Sequence, residues 1–225
     1  MDPKLNYPIP HGVHKHSIAV EKTARWFHIG IPPQTCSHII VILHGYGQHP
    51  AYLLGGMNDL VNESDSLCIS APEGLSRFYV KGFEGKVGAS WMTRDERQQD
   101  ITDQISYLDN WWESLNIPPE TRVTLVGFSQ GVATACRWIA ASKIFEPSTV
   151  IFHSGTIPPE WIKSSPSFSK EKTDFVLIRG DIDPVFSEEA HSEAATFLTS
   201  LGLNVETSKV QGSHKMTAEH LAPYL

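Results

Sequence analysis

Apolar residues along this chain gather into short unbroken runs, separated by stretches in which they recur at helical spacing. The clearest run is Ile39-Ile40-Val41-Ile42-Leu43, within residues 37–43. A strand with apolar side chains on both faces must be covered on both faces, so this run predicts a central strand. Further strands are predicted at 67–70, closed by Ala71-Pro72, and at 121–126, 149–152, 174–178 and 205–210. Near the N-terminus, 17–20 and 24–29 flank the polar Glu21-Lys22-Thr23 and predict an antiparallel hairpin at the sheet edge.

Between the strands the period changes. Ile101, Ile105, Leu108, Trp112 and Leu115 fall at spacings of four, three, four and three and form one helical face. Asp95, Glu96, Asp100 and Asp103 lie near its N-terminal end, where the helix dipole favours negative charge, and the helix must stop before Pro118-Pro119. Helices are also predicted at 51–61, from Val132 through Ala140, at 188–201 and after His214, with a loop over Pro158, Pro159 and 163–172. Strands alternating with helices over this length indicate one α/β domain over 1–225, with a mostly parallel sheet covered by helices on both faces. Ligands in such sheets bind at the carboxyl ends of the strands.

Residues 74–91 break the alternation. They hold Gly74, Gly82, Gly85 and Gly88 among Phe78, Tyr79, Val80, Phe83 and Trp91, all of exposed character. A loop this long inside a compact domain tends to be functional. It reads as an inserted cover or wall for an apolar substrate group, as an irregular excursion packed on the core, or as an interface.

Composition narrows the class. The formal net charge is -7 with no block of Lys or Arg, which argues against a nucleic-acid footprint and against attraction to anionic membranes. Pro3, Pro8 and Pro10 interrupt the N-terminus where a signal peptide needs an apolar core, and no run reaches membrane-spanning length. Cys36, Cys68 and Cys136 are odd in number and sit in or beside apolar elements, so reduced thiols and a cytoplasmic protein are expected. His11, His14 and His16 have a spacing reminiscent of metal ligands, but no carboxylate or cysteine completes the set nearby. They read as a solvated segment.

The candidate chemistry lies at strand ends. Gly127-Phe128-Ser129-Gln130-Gly131 follows a strand and opens a helix, the context a nucleophile elbow requires. The turn is so tight that a Cβ at either flanking position would collide with a neighbouring element, which Gly127 and Gly131 avoid. A second Gly-rich turn, His44-Gly45-Tyr46-Gly47-Gln48, ends the first central strand. The backbone NH groups of Tyr46 and Gln130 are then the expected oxyanion donors, with His44 orienting the turn. Asp183 follows a later strand, and its position before Pro184 makes it a better acid than Asp181. His214 comes last. The order nucleophile, acid, histidine is that of the α/β-hydrolase fold.

Four stretches together, Leu43-His44-Gly45-Tyr46-Gly47, Gly127-Phe128-Ser129-Gln130-Gly131, Gly180-Asp181-Ile182-Asp183-Pro184-Val185 and Gly212-Ser213-His214, resemble the landmark motifs of the phospholipase/carboxylesterase family, which includes acyl-protein thioesterases and small bacterial carboxylesterases. The similarity runs from about residue 37 to the C-terminus, and Phe-Ser-Gln-Gly is its most specific part. It implies Ser129 as nucleophile, Asp183 as acid, His214 as base, and Tyr46 and Gln130 as oxyanion amides. Gln48 and Val126 depart from the usual Asp and Gly, and 74–90 differs in build, which touches specificity.

The expected activity is that of a serine hydrolase, a carboxylesterase cleaving small or medium acyl esters through an acyl-enzyme, with no metal or organic cofactor. A thioesterase or lysophospholipase would use the same machinery, and a non-catalytic binding protein could keep the same fold. Phe78, Phe83, Trp91, Phe128 and Val185 are the expected substrate contacts. Family relatives include dimers, and the exposed aromatics would also suit a homodimer.

Overall fold

The computed structural model describes residues 9–158, 160–161 and 173–225. Among the described residues, nine strands form two sheets. The strands are β1 (Trp26–Gly30), β2 (His38–Leu43), β3 (Leu67–Pro72), β4 (Ser76–Tyr79), β5 (Val87–Ser90), β6 (Arg122–Phe128), β7 (Thr149–His153), β8 (Asp174–Gly180) and β9 (Val205–Val210). The main sheet runs β1-β3-β2-β6-β7-β8-β9, parallel throughout except where β1 lies antiparallel on β3. β4 and β5 pair with each other as a separate hairpin.

The apolar runs explain the layering. Along β2, Ile39, Val41 and Leu43 enter one core, and the alternate Ile40 and Ile42 enter a second on the opposite face. The first core is covered by α3 (Arg97–Ser114), α4 (Gln130–Ala141) and α5 (Glu188–Ser200); the second by α1 (Pro50–Gly55), α2 (Asn58–Asn62) and α6 (Ala218–Leu221). Cys36, Cys68 and Cys136 are free and buried.

Four expectations need correction. Residues 17–20 form no strand, and Ile18 and Val20 are exposed; the antiparallel edge is made instead by β1 on β3, from Trp26↔Pro72 to Gly30↔Cys68. The fully buried β3 needs its outer edge paired, and β1 meets that need better than a local hairpin would. The single helix expected at 51–61 is two, broken at Gly56, where a helix has least to gain and where Met57 is drawn fully into the core. The buried stripe of α3 is Ile101, Gln104, Leu108, Trp111 and Leu115, rotated so that Ile105 and Trp112 are only half-buried. Residues 74–91 contain the β4–β5 hairpin, and Trp91 is fully buried rather than exposed. The loop expected at 163–172 and Pro159 lies outside the described residues. His11, His14 and His16 are exposed, and no helix among the described residues is long and apolar enough to cross a membrane.

Candidate active site

β6 ends at Phe128, and α4 begins at Gln130, so the chain reverses its character at one residue. Ser129 makes the turn with φ 53 and ψ -115, a conformation costing on the order of 1–3 kcal/mol for a residue with a Cβ. Its surroundings hold it there: its NH donates to the His153 carbonyl (3.0 Å), and its own carbonyl accepts from Val132 (3.1 Å). Space on the far side is equally limited. A Cβ on Gly131 would lie 2.0 Å from the Leu43 carbonyl oxygen, so α4 approaches β2 this closely only through glycine.

Asp183 stands in the turn after β8 and is buried. Its Oδ1 accepts the amides of Val185 (2.8 Å) and Phe186 (2.9 Å). Burial alone would raise its pKa; the Phe186 amide, His214, the Val185 amide and Ser154 outweigh it, and the carboxyl is held below its ordinary value. The nearby Asp181 is exposed and does something else. It accepts the Gly212 amide (2.8 Å), tying the β8 turn to the loop that carries His214.

His214 joins these elements. Its Nδ1 lies 2.9 Å from Asp183 Oδ2, and its Nε2 lies 3.0 Å from Ser129 Oγ. An ionised carboxylate can only accept, so Nδ1 carries the proton and Nε2 is free to accept from the serine hydroxyl. Phe128 packs against the imidazole, ring centres 5.0 Å apart, and is itself buried.

The turn after β2 is closed by two bonds: Gly45 donates to Gln48 Oε1 (2.7 Å), and Gln48 donates to the Gly45 carbonyl (3.2 Å). Gln48 thus does with a carboxamide what a carboxylate at that position would do. The Tyr46 and Gln130 amides take no hydrogen-bond partner among the described residues. His44 lies beneath the turn and is fully buried. Gly74 donates to its Nε2 (3.0 Å), so Nδ1 holds the proton and donates to the Gly45 carbonyl (2.8 Å). Burial pushes this imidazole down to about 4, keeping it neutral.

The expected substrate contacts separate. Phe78 packs against Tyr46 with the rings tilted (centres 5.0 Å apart), and Val185 is exposed beside the Asp183 turn. Phe83 stands at the hairpin tip, 92% exposed. Trp91 is turned into the core, where its indole NH donates to the His44 carbonyl (2.8 Å). Shape alone points elsewhere, to a cleft of about 930 Å³ between residues 17–26 and α3, whose lining includes none of Ser129, Asp183 and His214. The hydrogen-bonded chain is the better guide, because the ionisable groups of that cleft, Lys22, Asp100, Asp103 and Tyr107, include no hydroxyl hydrogen-bonded to a base.

Two features escaped sequence reasoning. The Gln130 side chain reaches across to residues 90–92. Behind Ser129, the buried His153 bonds the Ser154 hydroxyl (3.1 Å) and His220 Nδ1 (3.0 Å), and burial, then His220, pushes it down to about 3. The His-Ser-Gly at the end of β7 was the visible signal for the second.

A sequence model of the Phospholipase/Carboxylesterase family matches residues 24–223. Solved structures with the same fold include esterase PE8, at 22% identity and TM-score 0.68, covering 90% of this chain and 96% of that one. Zea mays acyl-protein thioesterase 2 is 18% identical with TM-score 0.64, covering 89% and 96%. The Bacillus cereus carboxylesterase is 15% identical with TM-score 0.62, covering 89% and 91%.

Proposed function

Since the chain belongs to the phospholipase/carboxylesterase family, we propose that it is a serine hydrolase that cleaves carboxylic esters by a Ser129-His214-Asp183 triad through an acyl-enzyme. The observation that carries this reading is the unbroken hydrogen-bonded chain from Ser129 Oγ through His214 to Asp183, at 3.0 and 2.9 Å.

A serine hydroxyl is a weak nucleophile until a base takes its proton. His214 Nε2 accepts that proton as Oγ attacks the acyl carbon, and Asp183 stabilises the imidazolium that forms. The carbonyl oxygen becomes an oxyanion between the amides of Tyr46 and Gln130. Each such donor typically contributes about 2.7–4 kcal/mol to the transition state. His214 then protonates the leaving alkoxide, and water attacks the acyl-enzyme by the same route in reverse. No step calls on a metal or an organic cofactor.

A second reading, a thioesterase or lysophospholipase acting on longer acyl groups, is favoured by the apolar rim. Tyr46, Val80, Phe83, Ile182 and Val185 are all exposed, offering an acyl chain an open surface to lie along. Hydrolysis of p-nitrophenyl esters of increasing acyl length tests both. Turnover should fall at least about 10⁴-fold in Ser129→Ala. A maximum at short chains keeps the carboxylesterase reading, and one at long chains moves it to the second. A fluorophosphonate that labels wild type no faster than Ser129→Ala would leave only a binding protein on this fold.

A further inference from the structure

We propose that residues 88–92 are a strap that sets the spacing of the two oxyanion amides, and that the Gln130 side chain is the positioning group through which the strap acts. This rests on the reading of Tyr46 and Gln130 as oxyanion donors. The two amides come from different strands, and the β2–β6 ladder that would fix their separation ends at Leu43↔Gly127. Each donor lies three residues beyond that last pair. Beyond the close packing of Gly131 on the Leu43 and His44 carbonyls, one further element ties the two turns together.

One short segment bonds to both turns. On the β2 side, Gly47 donates to the Ala89 carbonyl (2.8 Å), and Ala89 donates to the Gln48 carbonyl (3.0 Å). On the β6 side, Trp91 donates its amide to Gln130 Oε1 (3.1 Å), and Gln130 Nε2 donates to the Met92 carbonyl (2.9 Å) and to Ser90 Oγ (3.2 Å). Exchanging the carboxamide O and N would set amine against amide and oxygen against carbonyl, so its orientation is fixed by its partners. The Trp91 indole adds a bond to the His44 carbonyl and stacks on the His44 ring at 4.8 Å. Ala89, Ser90 and Trp91 are buried and Gln130 is half-buried, which limits the access of solvent to these bonds.

Contact with the first turn is so close that it excludes a side chain. A Cβ on Gly88 would lie 2.0 Å from the Gly47 carbonyl oxygen. Tyr46 and Gln130 therefore sit on opposite ends of one buried brace, and Gln130 is gripped by its side chain while its own NH is left for the substrate. An oxyanion exists only after attack, so a loosened brace should weaken the transition state and leave substrate binding intact.

The test compares wild type with Gln130→Met, which keeps length and loses all three bonds, and with Gly88→Ala, which pushes strap and turn apart. kcat and KM are measured on a p-nitrophenyl ester, together with the inhibition constant of a trifluoromethyl ketone. Ser129 Oγ adds to that ketone's carbonyl carbon, its proton passes to His214, and the ketone oxygen becomes the oxyanion. In Gln130→Met, kcat should fall about 10- to 100-fold with KM within about twofold, and ketone affinity should fall in proportion to kcat. Gly88→Ala should show the same split at equal or larger size; it stands as the test should Gln130→Met fail to fold, and Ser90→Ala, expected to lose a few-fold in kcat and in ketone affinity, stands if both fail. Unchanged kcat, a rise in KM alone, or a loss of kcat without loss of ketone affinity would overturn the strap. Absence of Ser129-dependent turnover in wild type would instead overturn the hydrolase reading beneath it.

Discussion

The elbow at the end of β6 and the β4–β5 hairpin are joined through the Gln130 side chain and Ser90, and they are built in opposite ways. Around Ser129 every position is constrained: a strained residue, a glycine with a carbonyl 2.0 Å from where its Cβ would be, and buried histidines fixed at both ring nitrogens. The hairpin is constrained only at its base, where residues 88–91 are buried; its outer half, from Tyr79 to Lys86, is exposed apart from Gly85. On the proposed reading, chemistry common to many esters would depend on the atoms that must not move, and the part of the substrate that varies would meet the surface with little to lose by changing.

The sharpest break of this contrast is Asp183→Asn against Asp181→Asn. An Asn at 183 can still accept the Val185 and Phe186 amides, but its NH₂ would face His214 Nδ1 and force the proton onto Nε2, toward Ser129. Ester turnover should fall about 10⁴-fold with little loss of stability. Asp181→Asn keeps an acceptor for Gly212 and should stay within a few-fold of wild type. Steady-state kinetics on both variants decides it, and equal losses would mean the acid has been misassigned.

Next in size is Gly131→Ala. Its methyl group would meet the Leu43 and His44 carbonyls at 2.0 and 2.9 Å, so α4 must move away from β2. A loss of about 3 kcal/mol is expected in urea unfolding, at the upper end of overpacking costs. A loss below about 1 kcal/mol would show that the elbow is softer than its contacts imply.

Acid should weaken the fold in part through the constrained region. His44 and His153 are both fully buried, and burial lowers them to about 4 and about 3 against about 6.5 in an unfolded chain. Below that value the unfolded chain takes up protons that these folded histidines refuse. Their stabilisation is complete above about pH 6.5 and is lost as pH falls toward 4 and then 3, at about 1.4 kcal/mol per pH unit for each. His153→Leu should flatten the pH dependence of unfolding between pH 5.5 and 4 by about that amount. An unchanged slope would mean His153 is protonated in the fold.

Much of this arrangement could be read from the chain because its cause is local. Double-sided burial marks β2, β6, β7 and β8, and the order Ser129, Asp183, His214 at separate strand ends marks the candidate site. What escaped has long-range causes. β1 chose β3 as its partner because β3 has an edge to cover. Trp91 resembles a surface aromatic until the His44 carbonyl is seen to accept its indole NH from 47 positions away. The Gln130 clasp and the His153–His220 pair likewise join residues 38–40 and 67 positions apart, and no periodicity reports them. The β4–β5 hairpin was hidden by its own composition: Ser76–Tyr79 and Val87–Ser90 are too short and too polar or Gly-rich to alternate visibly.

The smallest effect belongs to the hairpin tip, and it tests the other half of the contrast. Phe83 is 92% exposed and buries almost nothing, so Phe83→Ser should change unfolding free energy by less than about 0.5 kcal/mol. If the rim receives acyl chains, the same change should leave kcat/KM for an acetyl ester untouched and lower it for a long-chain ester, by about 1 kcal/mol, or roughly fivefold, for part of one aromatic contact. The p-nitrophenyl series measured on both proteins reads this as a change in slope with acyl length. Parallel profiles would remove Phe83 from the substrate path and leave the exposed tip to serve contacts other than the acyl group.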